Sequence, residues 1–159
     1  MANQPPPYHV PVYIEPEPLG QVAEVKSPSS GSVLDTDYIK STEDNVQQWN
    51  LDPSEISVNE YFVKLNCNST LVLESPLEES AQAFINIQGD RNRNGGIQVW
   101  TMEQVPGSSD MCTLRNFKTR MYLCLNYDGH GQPGQPGVSI VVASPQDQNA
   151  QWRIKIVQQ

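Results

Sequence analysis

All three tryptophans of the 159-residue chain fall on one beat: Trp49, Trp100 and Trp152 are separated by 51 and 52 residues. Each opens a triplet of the form Trp, polar, apolar, in Trp49-Asn50-Leu51, Trp100-Thr101-Met102 and Trp152-Arg153-Ile154. A second register keeps the same step, because Val12, Val63 and Leu114 lie 51 residues apart, each inside a short β-type run. Periodicity on this scale marks an architecture assembled from copies of one supersecondary unit. One such copy cannot bury its apolar face alone, so the copies must share a core.

Within each copy, short alternating runs are separated by clusters of Gly, Pro, Asn and Asp, which is the pattern of strands, and helical periodicity is nearly absent. The third copy reads MCTLRNFKTRMYLCLN as two strands about the turn from Asn116 to Thr119, then VSIVVA and AQWRIKIV. The second gives YFVKLN, TLVLES, AFINIQ and IQVWTMEQV; the first gives VPVYIE, QVAEV, VLDTDYI and VQQWNLD. Twelve strands in three four-stranded copies predict an all-β fold, a β-trefoil with pseudo-threefold symmetry, whose closed barrel removes most free edges. The expected boundaries are a proline-rich arm over residues 1–9 and a trefoil over 10–159, with repeats of about 10–53, 54–105 and 106–159. The alternative is a β-sandwich in which the Trp spacing is coincidence.

Ten Lys and Arg against eighteen Asp and Glu give a formal charge of −8. Phosphate backbones are bound by clustered Lys and Arg, so no nucleic-acid partner is expected. The cations are scattered along the chain apart from Arg91 to Arg93, which argues against a basic membrane-facing patch. No apolar run approaches the roughly 20 residues of a membrane span, and the opening MANQPPPYHVPVYIEPEPLG has no signal-peptide pattern, so no membrane insertion and a cytoplasmic location are expected. Cys67, Cys112 and Cys124 form no C-x-x-C pair and read as buried thiols, a bridge between Cys112 and Cys124 being the alternative in an oxidising setting. The Asn68-Ser69-Thr70 sequon matters only in a secreted chain.

The tryptophans carry more than spacing. Gln47-Gln48-Trp49 and Gln98-Val99-Trp100 match a Q-x-W motif in successive repeats, while the third copy has Ala150 where the motif glutamine belongs. On these residues, on DNVQQW and QVWTMEQV, and on the run TLRNFKTRMYLCL, the chain resembles the ricin-B-like β-trefoil lectins of fungal type over about residues 10–157. The resemblance implies a carbohydrate-binding protein acting in defence, with a glycan or glycoprotein partner, no cofactor, no metal and no catalysis. It also implies that Trp49, Trp100 and Trp152 sit in the core and that motif glutamines such as Gln98 bond backbone near the sugar pocket.

A sugar presents hydroxyls that donate and accept, plus a face of C–H groups, so its site needs carboxylates or amides beside an exposed aromatic ring. The first copy comes closest, with Glu24 near the early turn, Asp35, Asp37 and Tyr38 on the third strand, and Asp44 and Asn45 ahead of Gln47. Tyr38 stands about where the stacking aromatic of the lectin family lies. The second copy places Glu74, Asn86, Gln88 and Asp90 at similar points, but its only third-strand aromatic, Phe84, is expected in the core, so this site reads as degraded. The third offers Asn126, Tyr127, Asp128 and His130 in the loop NYDGHGQPGQPG, with Asp147 and Asn149 before Trp152, but its third strand is aliphatic. The bland reading of each such residue is a solvated acidic surface. A Kd near 1 mM is only about −4 kcal/mol. Useful avidity would therefore come from several sites or from a homodimer.

For catalysis the chain offers His9 and His130, neither in a nucleophile or metal setting. Carboxylate pairs for glycoside hydrolysis stay open, because their separation is a property of the fold. The competing function is a protease inhibitor resembling the mycocypins, with a protease as partner and the Gly- and Pro-rich loop 129–137 as the inhibitory element. A trefoil engaging another protein, as cytokine or actin-bundling trefoils do, is a third class that no residue pattern favours.

Overall fold

The computed structural model describes residues 10–16, 20–40, 45–54, 59–90, 92–126, 139–144 and 148–157. Twelve strands run among them: β1 Val12–Pro16, β2 Val22–Val25, β3 Leu34–Asp37, β4 Trp49–Pro53, β5 Glu60–Leu65, β6 Asn68–Glu74, β7 Phe84–Ile87, β8 Trp100–Gln104, β9 Met111–Asn116, β10 Tyr122–Asn126, β11 Ser139–Ala143 and β12 Trp152–Ile156. The only helical pieces among the described residues are single 3-10 turns at Asn45–Gln47, Arg93–Gly95 and Gln148–Ala150. The proline-rich arm 1–9, with His9, lies outside the described residues.

Pairing closes on itself. β1 bonds β4 and β12, β4 bonds β5, β5 bonds β8, β8 bonds β9, and β9 bonds β12, all antiparallel. This ring is a barrel, and the remaining strands form three hairpins, β2–β3, β6–β7 and β10–β11, one per repeat. The hairpins meet over one end of the barrel, where Leu34 N–H donates to Ala83 O at 2.8 Å and Ala83 N–H to Ile140 O at 3.1 Å. A barrel of six strands capped by three hairpins is a β-trefoil.

The core explains why the repeat step is strict. Val12, Val63 and Leu114, the second register of the sequence, are each 0% exposed and belong to one apolar cluster with Ile14, Leu51, Leu65, Leu73, Ile85 and Leu123. Trp49, Trp100 and Trp152 are also 0% exposed. Each indole is tied in the same way, its Nε1–H donating to a backbone carbonyl of the second strand of its own repeat. The acceptors are Ala23 at 3.2 Å, Leu73 at 3.1 Å and Leu123 at 2.9 Å. A buried indole needs such an acceptor, because its one polar atom is a donor that otherwise loses water without compensation.

Cysteine placement departs from expectation at one position. Cys112 and Cys124 are buried, and burial pushes the Cys112 thiol up to about 12. Cys67 is exposed. It occupies the Asn66-Cys67 turn between β5 and β6, where a hairpin tip has no neighbouring layer to cover it. Phe84 also differs from its expected core position, being half-buried at the start of β7, where it bridges to Val33.

Replacing Trp49 or Trp100 by Ala should lower stability by about 3–5 kcal/mol in urea denaturation, the range for deleting a buried aromatic. Trp100→Phe should cost about 1–3 kcal/mol, chiefly by leaving the Leu73 carbonyl without its donor. A thiol reagent should modify Cys67 in the native protein and Cys112 only after unfolding, since the thiolate is the reactive form.

Candidate functional site

The residue after each indole acceptor decides what is built beside it. Alanine 23, leucine 73 and leucine 123 are followed by Glu24, Glu74 and Cys124, so these three stand at equivalent positions. Two residues before each tryptophan stand Gln47, Gln98 and Ala150. In the first two repeats the glutamine and the glutamate form a clamp.

In repeat one, Gln47 is 0% exposed and Glu24 is buried. The Gln47 amide donates from Nε2 to Glu24 Oε1 at 3.2 Å and to the Tyr38 carbonyl at 2.8 Å, while its Oε1 accepts the Lys40 N–H at 3.0 Å. Repeat two copies this bond for bond. Gln98 Nε2 donates to Glu74 Oε1 at 3.0 Å and to the Ile87 carbonyl at 3.0 Å, and Gln98 Oε1 accepts the Gly89 N–H at 2.9 Å. Every polar atom of each amide is used, which fixes its flip and points the carboxylate. Among the described residues, Oε1 of each glutamate takes all the recorded bonds and Oε2 takes none.

Around the clamp, the third strand contributes a short polar residue followed by an exposed apolar one. Asp37 Oδ1 accepts the Tyr38 N–H at 2.8 Å, and Asn86 Oδ1 accepts the Ile87 N–H at 2.8 Å. Tyr38 is 46% and Ile87 58% exposed. Asn86 also donates to Glu74 Oε1 at 3.2 Å and accepts from Ser30 Oγ at 2.7 Å, so repeat one helps to hold the repeat-two site. In repeat one the corresponding support is ionic, with Lys40 Nζ 3.4 Å from Glu24 Oε1 and 3.5 Å from Asp37 Oδ2.

These charges set the protonation behaviour. Burial raises the Glu24 carboxyl above the ordinary glutamate value; the Lys40 cation pulls it back down and Asp37 pushes it up again. Loss of water pulls Lys40 down, but Glu24 and Asp37 outweigh it and hold its ammonium above the ordinary value.

The sequence candidates thus separate. Glu24, Asp37, Tyr38 and Gln47 come together. Asp35 is buried and directly opposite Glu24 in the β2–β3 register, but its Oδ1 is turned to the Thr36 N–H at 2.9 Å. Asp44, Asp128, His130, Asp147 and the loop 129–137 lie outside the described residues, as does the side chain of Asn45. Asn126 and Asn149 are half-buried, and each is engaged in an interaction of its own. The Asp90 carboxylate is turned to its own turn, accepting the Asn92 N–H at 2.9 Å, and Gln88 is half-buried, its backbone N–H donating to the Thr70 carbonyl. Lys40 is the site residue that the sequence reading missed; its opposite charge three residues after Asp37 was the available signal.

Repeat three has no clamp. Cys124 and Ala150 pack with Tyr122, Val141 and Ala143 as a small apolar cluster in the corresponding place.

No family model matches the chain, and no curated protein is similar enough to match. Solved structures do resemble it. The designed three-fold symmetric protein ThreeFoil aligns at a TM-score of 0.76 with 16% identity, over 92% of this chain and 99% of that one. The β-trefoil BEL aligns at 0.69 with 16% identity, over 97% of both chains. The C-terminal half of an earthworm R-type lectin, in complex with GalNAc, aligns at 0.67 with 18% identity, over 93% and 99%. At these identities the likeness is one of fold.

Glu24 is the unusual carboxylate whose folded value lies above its unfolded one. Its contribution to stability is therefore present at low pH and is lost as pH rises through the folded value. A carboxyl resonance assigned to Glu24 should titrate above the ordinary glutamate range, and higher still in Lys40→Met. In Glu24→Gln, that part of the decline in stability between acid and neutral pH should vanish in urea denaturation.

Proposed function

We propose that the protein is a carbohydrate-binding lectin without catalysis of its own, recognising glycans in shallow pockets at the ends of repeats one and two. The observation that carries this reading is the duplicated clamp. Two buried glutamates are each held by one oxygen, with the other unbonded among the described residues, beside an exposed Tyr38 or Ile87. A carboxylate oxygen fixed in this way accepts a sugar hydroxyl at little cost in ordering, and the neighbouring apolar side chain meets the C–H face. In repeat one, Glu24, Asp37 and Tyr38 carry the contacts, with Gln47 and Lys40 positioning Glu24. In repeat two, Glu74 and Asn86 take the same roles, positioned by Gln98. The R-type lectin that shares the fold was solved with GalNAc bound, which supports the class of ligand. A cytoplasmic location, a fungal-type relationship and repeat boundaries near residues 53 and 105 belong to the same proposal.

A glycan array probed at high protein concentration should give defined positives, and calorimetry on the best of them should show two sites. Charge-assisted hydrogen bonds contribute about 1.5–3 kcal/mol, so Glu24→Gln and Glu74→Gln should each remove one site, weakening it by about 10- to 100-fold. Affinity at site one should also fall on acidification at a pH above the ordinary glutamate range, as Glu24 takes up its proton. A blank array, or full binding by the double variant, would refute the proposal.

A further inference from the structure

The cations that are scattered in the sequence are gathered in the fold. The ion pairs among the described residues use Lys40, Lys64, Arg153 and Lys155. Of the described cations outside these pairs, Lys26 is in the β2–β3 turn, while Arg93, Arg115, Lys118 and Arg120 share one corner of the molecule. Scattering holds for these cations in the sequence alone: residues about 25 apart are brought together by the β8–β9 hairpin and the turn that follows it.

This corner adjoins the repeat-two clamp. Arg93 lies across Gly89, whose N–H orients Gln98; a Cβ on Gly89 would fall 2.3 Å from Arg93 Cδ. A Cβ on Gly95 would fall 3.3 Å from Lys118 Nζ, and one on Gly96 (φ 95°) would fall 2.7 Å from the Phe117 ring. The Arg120 guanidinium lies over the Phe117 ring at 5.2 Å, and the Arg115 guanidinium over the Tyr122 ring at 5.1 Å. Arg115 Nε also donates to the Arg120 carbonyl at 2.8 Å. The turn is anchored from below by Asn116, which is 0% exposed, donates to the Ile97 carbonyl at 2.9 Å and accepts the Lys118 and Thr119 N–H groups at 3.1 Å. Thr119 Oγ1 lies 3.4 Å from Ser75 Oγ, one residue from Glu74. Four cations that form no ion pair among the described residues are thus held beside the Gln98–Glu74 clamp, in a chain whose net charge is −8.

We infer that the repeat-two site takes an acidic saccharide: a sugar hydroxyl on Glu74, and a sulfate or carboxylate of the same glycan against Lys118, Arg120 and Arg93. The inference rests on the lectin reading above and specifies its ligand. A neutral glycan would leave the basic rim unused. A polyanion without a sugar hydroxyl aimed at Glu74 would meet that buried negative charge.

The test is an array carrying matched neutral, O-sulfated and sialylated versions of the same glycan cores, read with the full chain and with the double variant Lys118→Gln/Arg120→Asn. Asparagine is chosen because Arg120 is left-handed, at φ 63°, a conformation asparagine tolerates. In the full chain an acidic member should exceed its neutral partner by about tenfold, as a few exposed charge contacts provide. The sulfated and sialylated arms tell which acid is read. The ratio should fall to about one in the double variant and in about 0.5 M salt, where exposed charges are screened. Glu74→Gln should weaken both members. Equal binding of neutral and acidic members, or a ratio that survives the double variant, overturns the inference while leaving the lectin reading intact. Equal competition by single-stranded DNA, unaffected by Glu74→Gln, overturns it in favour of charge alone. An array blank for every member removes both readings.

Discussion

The fold hangs on one interaction made three times, a fully buried indole donating to the backbone of the second strand of its own repeat. The bond spans 26, 27 and 29 residues, so it ties the closing strand of each repeat to its hairpin and fixes how the hairpin sits over the barrel. The ring supplies most of the stabilisation through the area it buries. Its single N–H supplies direction, because a misplaced indole would leave both a donor and a carbonyl dry and unpaired. The same bond in three copies keeps each tryptophan tied to its own hairpin, although the stretch it spans varies by three residues.

The same constraint places the candidate sites. Fixing the acceptor carbonyl at residue 23 or 73 fixes the next side chain, Glu24 or Glu74. Fixing the tryptophan likewise fixes the glutamine two positions before it. Clamp geometry is thereby inherited from the core without further contacts, and the carboxylate is presented by strands that the barrel holds rigid. Burial of Glu24 has a cost, visible in its raised protonation range, and Lys40 offsets part of it. Repeat two meets the same need with uncharged donors, since Asn86 and Gln98 both bond Glu74.

Much of this was legible in the sequence, and for definable reasons. Trp49, Trp100 and Trp152 announced the repeat because a large ring in a shared core admits no drift in position, and the alternating runs gave all twelve strands. Glu24, Asp37, Tyr38 and Gln47 were each recognisable as candidates, but not the bond from Gln47 to Glu24, which joins residues 23 apart through a turn geometry that composition does not encode. Repeat two reads as degraded for want of an exposed aromatic on its third strand; the structure places Ile87, 58% exposed, where repeat one has Tyr38. The basic corner was invisible for the same reason as the clamp, since the turns that carry Arg93 and Lys118 are brought side by side by the β8–β9 pairing. Cys67 was misjudged because a cysteine in an alternating run looks buried until the turn is located.

Repeat three separates what the fold needs from what the clamp adds. Trp152 is as buried as its counterparts and makes the shortest of the three indole bonds, with Ala150 in place of the motif glutamine and Cys124 in place of the glutamate after its acceptor. Losing the glutamine alone would have left a buried carboxylate without its amide, a cost of a few kcal/mol for a charged group. Losing both and packing Cys124 and Ala150 in the space is close to neutral, because no polar group is then left unpaired. The pair is therefore kept whole or removed whole. Since repeat three folds without it, the barrel does not require the Gln47–Glu24 or Gln98–Glu74 pair; what these pairs hold that Cys124 and Ala150 cannot is a carboxylate aimed by an amide, with one oxygen unbonded among the described residues.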